Sequence, residues 1–218
     1  EIMGMGWSDH QVAMEANDDM VRAGADNTER LTGFCSVNPG WGKPAITGAQ
    51  RCIDAGLVGI GELHADTQGF DITAVAVMAP VMELARSDRL PVLVHASEPV
   101  GHQYPGKGGT TPDKLFRFIQ NFPGNVIICA HWGGGLPFYS LMPEVKESLK
   151  NVYFDSAASP FLYRPEVFGA VSELAGPAKV LFARDYPLLE TSRPHDHAGS
   201  AELAPAVETS LAAGTAVK

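Results

Sequence analysis

The chain has 218 residues, 45% of them hydrophobic, which suits one domain with a full core. Its formal net charge of −9 and lack of any basic tract exclude the positive field that a nucleic-acid or polyanion partner needs. There is no run of about 18 apolar residues and no secretory signal, so we expect a cytoplasmic protein with no membrane partner.

The opening residues, EIMGMGWSD, read like the end of a strand entering a loop. A helix-like stretch covers about 10–28, and LTGFCSVNP (31–39) reads as a strand closed by Asn-Pro. A helix near 45–55 stops at Gly56, and VGIGELH (58–64) is the next strand. The stretch 72–88 is helical, with a kink expected at Pro80. LPVLVHAS (90–97) is a strand, 111–122 a helix and NVIICAHW (125–132) a strand. LMPEVKESLK forms a helix, NVYFDSA (151–157) a strand, PEVFGAVSELAG a helix and AKVLFARDYP (178–187) a strand. Cys35, Cys52 and Cys129 have no paired spacing and lie in apolar segments, which predicts buried reduced thiols.

Near-continuous apolar strands joined by helices imply a parallel sheet covered on both faces. The fold class is therefore α/β, a TIM-barrel-like (β/α)8 fold. A full barrel takes about 250 residues, so we expect one incomplete at the N-terminus, with open edges near 31–39 and 178–187. Open edges favour pairing with a second copy, a homodimer. The barrel domain is placed at 1–190, and 191–218 reads as a C-terminal tail or weak helix. An open doubly wound sheet would show a glycine-rich nucleotide turn after an early strand, and HWGGG lacks that spacing.

His64, His95 and His131 each end a strand-like run, and Asp155 and Asp185 repeat the setting. The C-terminal ends of parallel barrel strands converge on the face that carries active sites. Imidazoles and carboxylates gathered there are the ingredients of a metal-assisted site for a small-molecule substrate. Glu62 alternates with His64, so both should face the barrel interior or its mouth. His102 lies in a long glycine-rich loop of the kind that binds substrate.

LVHASEP, ICAHWGGGLPF and LFARDYPLL resemble the strand-end motifs of the amidohydrolase-2 family. These are metal-dependent (β/α)8-barrel hydrolases, with relatives that decarboxylate aromatic or dienoic acids. The resemblance implies that His95 is a metal ligand, that His131 is the acid/base beside the metal, and that Asp185 binds the metal, helps deprotonate its water, or both. His64, Glu62 and His102 are then expected to bind substrate. The implied cofactor is a divalent metal, zinc first and manganese as the alternative. The implied activity is hydrolysis of a small organic substrate by metal-activated water, with non-oxidative decarboxylation as the alternative. Two departures keep a third reading open, a non-catalytic barrel. The family's first-strand His-x-His pair has no counterpart near the start, and Ala183-Arg184 precede Asp185 where the family has small residues. The chain's own His-x-His, His195-Asp196-His197, stands in a polar stretch after the last strand.

Overall fold

The computed structural model describes residues 5–28, 31–185 and 192–201. Helix α1 (His10–Asp26) starts where the Asp9 side chain accepts from the Val12 N–H at 3.0 Å. It turns Ala13, Asn17 and Met20 inward, the spacing of one helical face. Buried Asn17 exchanges two hydrogen bonds with the Ser36 backbone, at 2.9 and 2.8 Å, and so ties α1 to the end of β1 (Phe34–Cys35). Next come α2 (Lys43–Asp54), β2 (Gly59–Leu63), the short α3 (Ala65–Gln68), α4 (Val75–Ser87) and β3 (Val92–Val94). The remainder is α5 (Pro112–Asn121), β4 (Ile127–Cys129), α6 (Pro143–Ser148), β5 (Val152–Asp155), α7 (Ser159–Leu162), α8 (Val167–Ala175), β6 (Val180–Leu181) and α9 (Ser192–Gly199).

All six strands lie in one parallel sheet in sequential order, β1-β2-β3-β4-β5-β6. Among the described residues β1 and β6 pair on one side only, so the sheet is the wall of an unclosed barrel. The strands are shorter than their apolar runs suggest. Of the run 31–39 only Phe34 and Cys35 pair as strand, and of 178–187 only Val180 and Leu181. Apolar composition reports burial, whereas strand length depends on a neighbour to pair with, and edge strands have one.

The pleat sorts side chains into two layers. Val92, Val94, Ile127, Cys129, Val152, Phe154 and Val180 join the main core beneath the helices. Leu93, Ile128 and Ala130 pack with Phe34 on the opposite, inner face, flanked by Tyr153 and Leu181. Gly59 makes room there, since a Cβ on it would stand 2.6 Å from the Phe34 ring. The three cysteines are buried and free. Pro80 lies inside α4. No helix among the described residues is long and apolar enough to cross a membrane. In the tail, His197 packs its ring 6.0 Å from Phe168, and Ala201 joins the core.

Candidate active site

His95 sits two residues beyond Leu93, and the pleat carries it to the same inner face. Backbone pairing persists past the strands, with His95 N–H donating to Leu63 O and Ala130 N–H to Val94 O, both at 2.9 Å. The loops that bear the site are therefore held to the sheet. Beyond β4 the chain enters an unusual turn: His131 and Trp132 have φ of 54° and 57°, and Gly133, Gly134 and Gly135 follow at 58°, 60° and 95°. A left-handed backbone at two residues with side chains costs on the order of 1–2 kcal/mol each, so it needs anchors. Asp155 Oδ1 accepts from the N–H groups of His131 and Ala157, both at 3.0 Å. The buried Trp132 indole donates to Ser159 Oγ at 2.9 Å. The glycines serve packing: a Cβ on Gly134 would lie 2.4 Å from Ser97 O, and one on Gly133 2.9 Å from the Phe154 ring.

This turn aims His131 at Glu62 and His95. Glu62 Oε1 lies 2.8 Å from His95 Nδ1 and 3.8 Å from His131 Nε2. One ligand atom from each of the three falls within 4.8 Å of the others. His131 Nδ1 is 3.1 Å from the Ala157 carbonyl, a contact that fixes the ring with Nε2 toward Glu62. His95 Nε2 is 3.3 Å from Ser97 Oγ. His64 stacks on His95 with centroids 4.0 Å apart and 11° between the planes. His64 also accepts from the Thr67 N–H at 3.4 Å, which makes it the cap of α3.

The site couples its charges. Burial would raise the Glu62 carboxyl, but the His95 hydrogen bond and the charges of His95, His131 and His64 outweigh it and hold it below its ordinary value. Burial would lower His131, yet Glu62, Asp155, Asp185 and the Ala157 carbonyl carry it above the usual imidazole value. Asp185 is raised by burial first, with the Glu62 charge adding and His131 and His95 opposing. Asp155 is pushed up to about 6 by burial, against the pull of His131 and its two N–H donors. His64 is lowered by burial and then by the charge of His95.

The structure therefore groups His95 and His131 with Glu62, which the sequence reading had placed with the substrate. Asp185 stands outside the trio of donor atoms while remaining close enough to feel all three charges. His102 is exposed, its ring 5.6 Å from Tyr104. It borders a separate cavity of about 370 Å3 whose walls include Glu98, Tyr104, Lys107, Phe138, Tyr139 and Tyr163. Sequence reasoning missed Asp155 as the clamp on His131, and also Ser97, whose hydroxyl meets His95. The position of Ser97, two residues past a strand-end histidine, was the available signal. Arg184 is exposed. Among the described residues His197 Nε2 is buried with no hydrogen-bond partner, and the His195 side chain lies outside them.

Two imidazoles and a carboxylate form a donor set that suits a divalent ion with nitrogen and oxygen ligands. Bonds of about 2.0–2.2 Å bring donor atoms to within about 3–4 Å of one another; the Glu62–His131 spacing of 3.8 Å lies in that range, and the Glu62–His95 hydrogen bond of 2.8 Å lies just below it.

The amidohydrolase family pattern matches residues 6–218. A 6-methylsalicylic acid decarboxylase from Penicillium expansum is 31% identical over 135 aligned residues, covering 48% of this chain and 40% of that protein. The chain thus spans less than half the length of this curated relative. The structure of 5-carboxyvanillate decarboxylase from Sphingomonas paucimobilis superposes with a TM-score of 0.78 at 19% identity, over 98% of this chain and 73% of that one. A dihydroxybenzoic acid decarboxylase from Polaromonas, solved with manganese and 2-nitroresorcinol, gives 0.70 at 18% identity, over 92% and 72%. These structural likenesses establish a shared TIM-barrel fold.

Proposed function

The chain belongs to the amidohydrolase family, a family of enzymes, and on that premise we propose that it is a metal-dependent decarboxylase of a small hydroxylated aromatic acid. The observation that carries this reading is the Glu62–His95–His131 trio with the raised carboxyl of Asp185 beside it. The decarboxylases among the relatives support decarboxylation over the hydrolysis first expected from the motifs. Glu62, His95 and His131 would hold the ion. Manganese is the ion to test first, since a related structure carries it, and zinc suits the same donors.

When bound, a divalent cation would supply positive charge to orient an aromatic carboxylate and its neighbouring oxygen. Decarboxylation needs a proton at the ring carbon that bears the carboxylate. The bond from that carbon to the carboxyl group then breaks, its electron pair restores the aromatic ring, and CO2 leaves. Asp185 is the proton donor in this reading, because burial and the Glu62 charge keep its proton on to higher pH. With Nδ1 fixed against the Ala157 carbonyl, His131 presents Nε2 beside Glu62, and that is the atom that would hold the ion. His64 backs the His95 ring by stacking, a positioning role.

The test incubates the purified chain and manganese with 6-methylsalicylate and a set of dihydroxybenzoates in 18O-water. Release of CO2 with the matching phenol, and no 18O in the organic product, is the expected outcome. No CO2 from any of these acids, together with 18O entering the carboxyl group released from an aryl ester or amide offered in parallel, would return the site to hydrolysis.

A further inference from the structure

Beyond the end of β3 the backbone leaves at Ser97 and returns to the same point, because the Ser97 N–H donates to Thr110 O at 3.0 Å. Residues 98–109 are therefore an Ω-loop, a surface loop whose ends meet. It is packed by its own side chains. The Tyr104 hydroxyl donates to Glu98 Oε2 at 3.2 Å, and Lys107 Nζ lies over the Tyr104 ring and donates to the carbonyls of Val100 and His102. A loop fastened to itself in this way moves as one body on its two ends. Its Val100, Tyr104 and Lys107 line the cavity of about 370 Å3 together with Phe138, Tyr139 and Tyr163. No residue of the Glu62–His95–His131 trio lines that cavity. The far end of the loop lies on the histidines instead. A Cβ on Gly108 would stand 3.2 Å from His64 Cε1 and 3.4 Å from His95 Cδ2, and Gly106 O is 3.4 Å from His64 Nε2. The loop thus borders both the cavity and the trio, and it covers one edge of the His64–His95 stack.

Two backbone donors hold that end down. The Gly108 N–H donates to Ser97 Oγ at 2.9 Å, and the Gly109 N–H donates to Asp66 Oδ2 at 2.6 Å. Ser97 belongs to the base of the loop itself. Asp66 belongs to α3, so its carboxylate is the charged group outside the loop that receives it, and bonds to a charged acceptor are the stronger kind. Asp66 is exposed, so water competes for its oxygen and the bond can be broken. The glycines divide in the same sense. Gly101 and Gly106 have φ of 90° and 89° with nothing within 4 Å of a Cβ, so there glycine supplies the backbone freedom that hinge positions need. On Gly108 and Gly109 a Cβ would stand 2.8 and 3.0 Å from the Asp66 carboxylate oxygens, so there glycine supplies close approach.

We infer that residues 98–109 are a gate between the cavity and the Glu62–His95–His131 trio, and that Asp66 is the positioning residue that latches it shut. The inference rests on the trio as the reactive centre and adds the route by which an ion or a small acid reaches it. When the gate lifts, water replaces the Gly108 and Gly109 donors, the edge of the histidine stack is uncovered, and the cavity becomes continuous with the trio. A latch of this kind sets how often the route opens. It speeds or slows entry and exit alike, and so leaves the equilibrium affinity where it was.

The experiment compares the wild type with Asp66→Ala and Asp66→Asn, by hydrogen exchange resolved to single amides and by release of manganese from the loaded chain into excess chelator. In Asp66→Ala the Gly108 amide, whose own acceptor Ser97 is untouched, should exchange about tenfold faster, the value of one hydrogen bond to a charged group. The amides of β3 and β4 should keep their rates. Manganese release should quicken by the same factor, about tenfold, while Kd stays within about threefold of the wild type. Asp66→Asn keeps a neutral acceptor and should fall between the two, and it serves if Asp66→Ala fails to fold. Faster exchange confined to α3 would leave Asp66 only the helix-end role that its place in the first turn allows, and would overturn the inference. So would faster exchange throughout the sheet, a Kd that weakens as much as release quickens, or a loosened loop with manganese release unchanged. If the wild type takes up no manganese, the proposed metal site fails, and the gate is read from acylation of the metal-free chain by diethyl pyrocarbonate. His64 and His95 should then react about tenfold faster in Asp66→Ala, with exposed His10 on α1 unchanged, and equal rates at His64 and His95 in the two proteins would overturn the gate.

Discussion

In the middle of the sheet, β3 and β4 are buried along their whole length, and the histidines just past their ends are each 8% exposed. At the far edge, β6 is two residues long, and the segment after it brings Asp185 to the same region with intermediate exposure. The middle fixes its polar groups twice over, by backbone pairing beyond the strand ends and by side-chain contacts such as Asp155 on the His131 N–H. At the edge, Asp185 has a neighbour on one side and acts on the trio through charge. The difference separates two jobs. Holding an ion needs donors fixed to within fractions of an ångström, whereas delivering a proton needs a group able to approach and withdraw, and low-stability elements suit the second.

The sharpest way to break this comparison is to remove one residue from each region. His95→Ala should lower manganese affinity on the order of 100-fold, read by metal content after dialysis, and turnover should vanish with it. Asp185→Asn should keep metal affinity within about threefold and lower turnover on the order of 100-fold, the usual scale for a lost general acid. If Asp185→Asn loses metal as fully as His95→Ala does, the edge carboxylate is a ligand and the division of labour is wrong.

A second contrast uses two glycines. Gly134, over the end of β3, has φ of 60° and would bring a Cβ within 2.4 Å of Ser97 O. Gly176, which leads into β6, has φ of 105° with nothing within 4 Å. In urea unfolding, Gly134→Ala should cost about 3 kcal/mol or more and Gly176→Ala about 1 kcal/mol. Equal losses would mean that the centre is no more tightly built than the edge.

The smallest effect is a pH dependence from the centre. Asp155 titrates near 6 in the folded chain against 3.8 ordinarily. Its folded value is raised, so between these values the folded state binds more protons than the unfolded one, and stability falls as pH rises from about 4 to about 6. Asp155→Asn keeps an oxygen for the two N–H donors and removes the titration. Unfolding of the metal-free chain at pH 4.5 and pH 7 should show a decline on the order of 2 kcal/mol in the wild type that is absent from Asp155→Asn. A parallel decline in both proteins would assign it to other groups.

The apolar runs of a parallel sheet are legible because burial on both faces leaves them little choice of composition. For that reason the order of strands, the helices between them and the convergence of His95, His131 and Asp185 toward one end could be read from the chain. The alternation of Glu62 and His64 on one strand was legible too, but their division was not. Glu62 reaches His95 and His131, whereas His64 stacks on His95 and caps α3, with the β2–β3 register shifting between Ile60 and Leu63. A local pattern sets the face a side chain takes, and only register against the neighbouring strand sets what it meets there. The left-handed turn at His131 and Trp132 was equally hidden, because its anchors, Asp155 and Ser159, lie 24 and 27 residues away in sequence. By itself the sequence determined a parallel α/β wall with imidazoles at its C-terminal end. Tertiary structure alone decided which carboxylate joins them, because contacts between distant segments exist only once the sheet has brought its strands side by side.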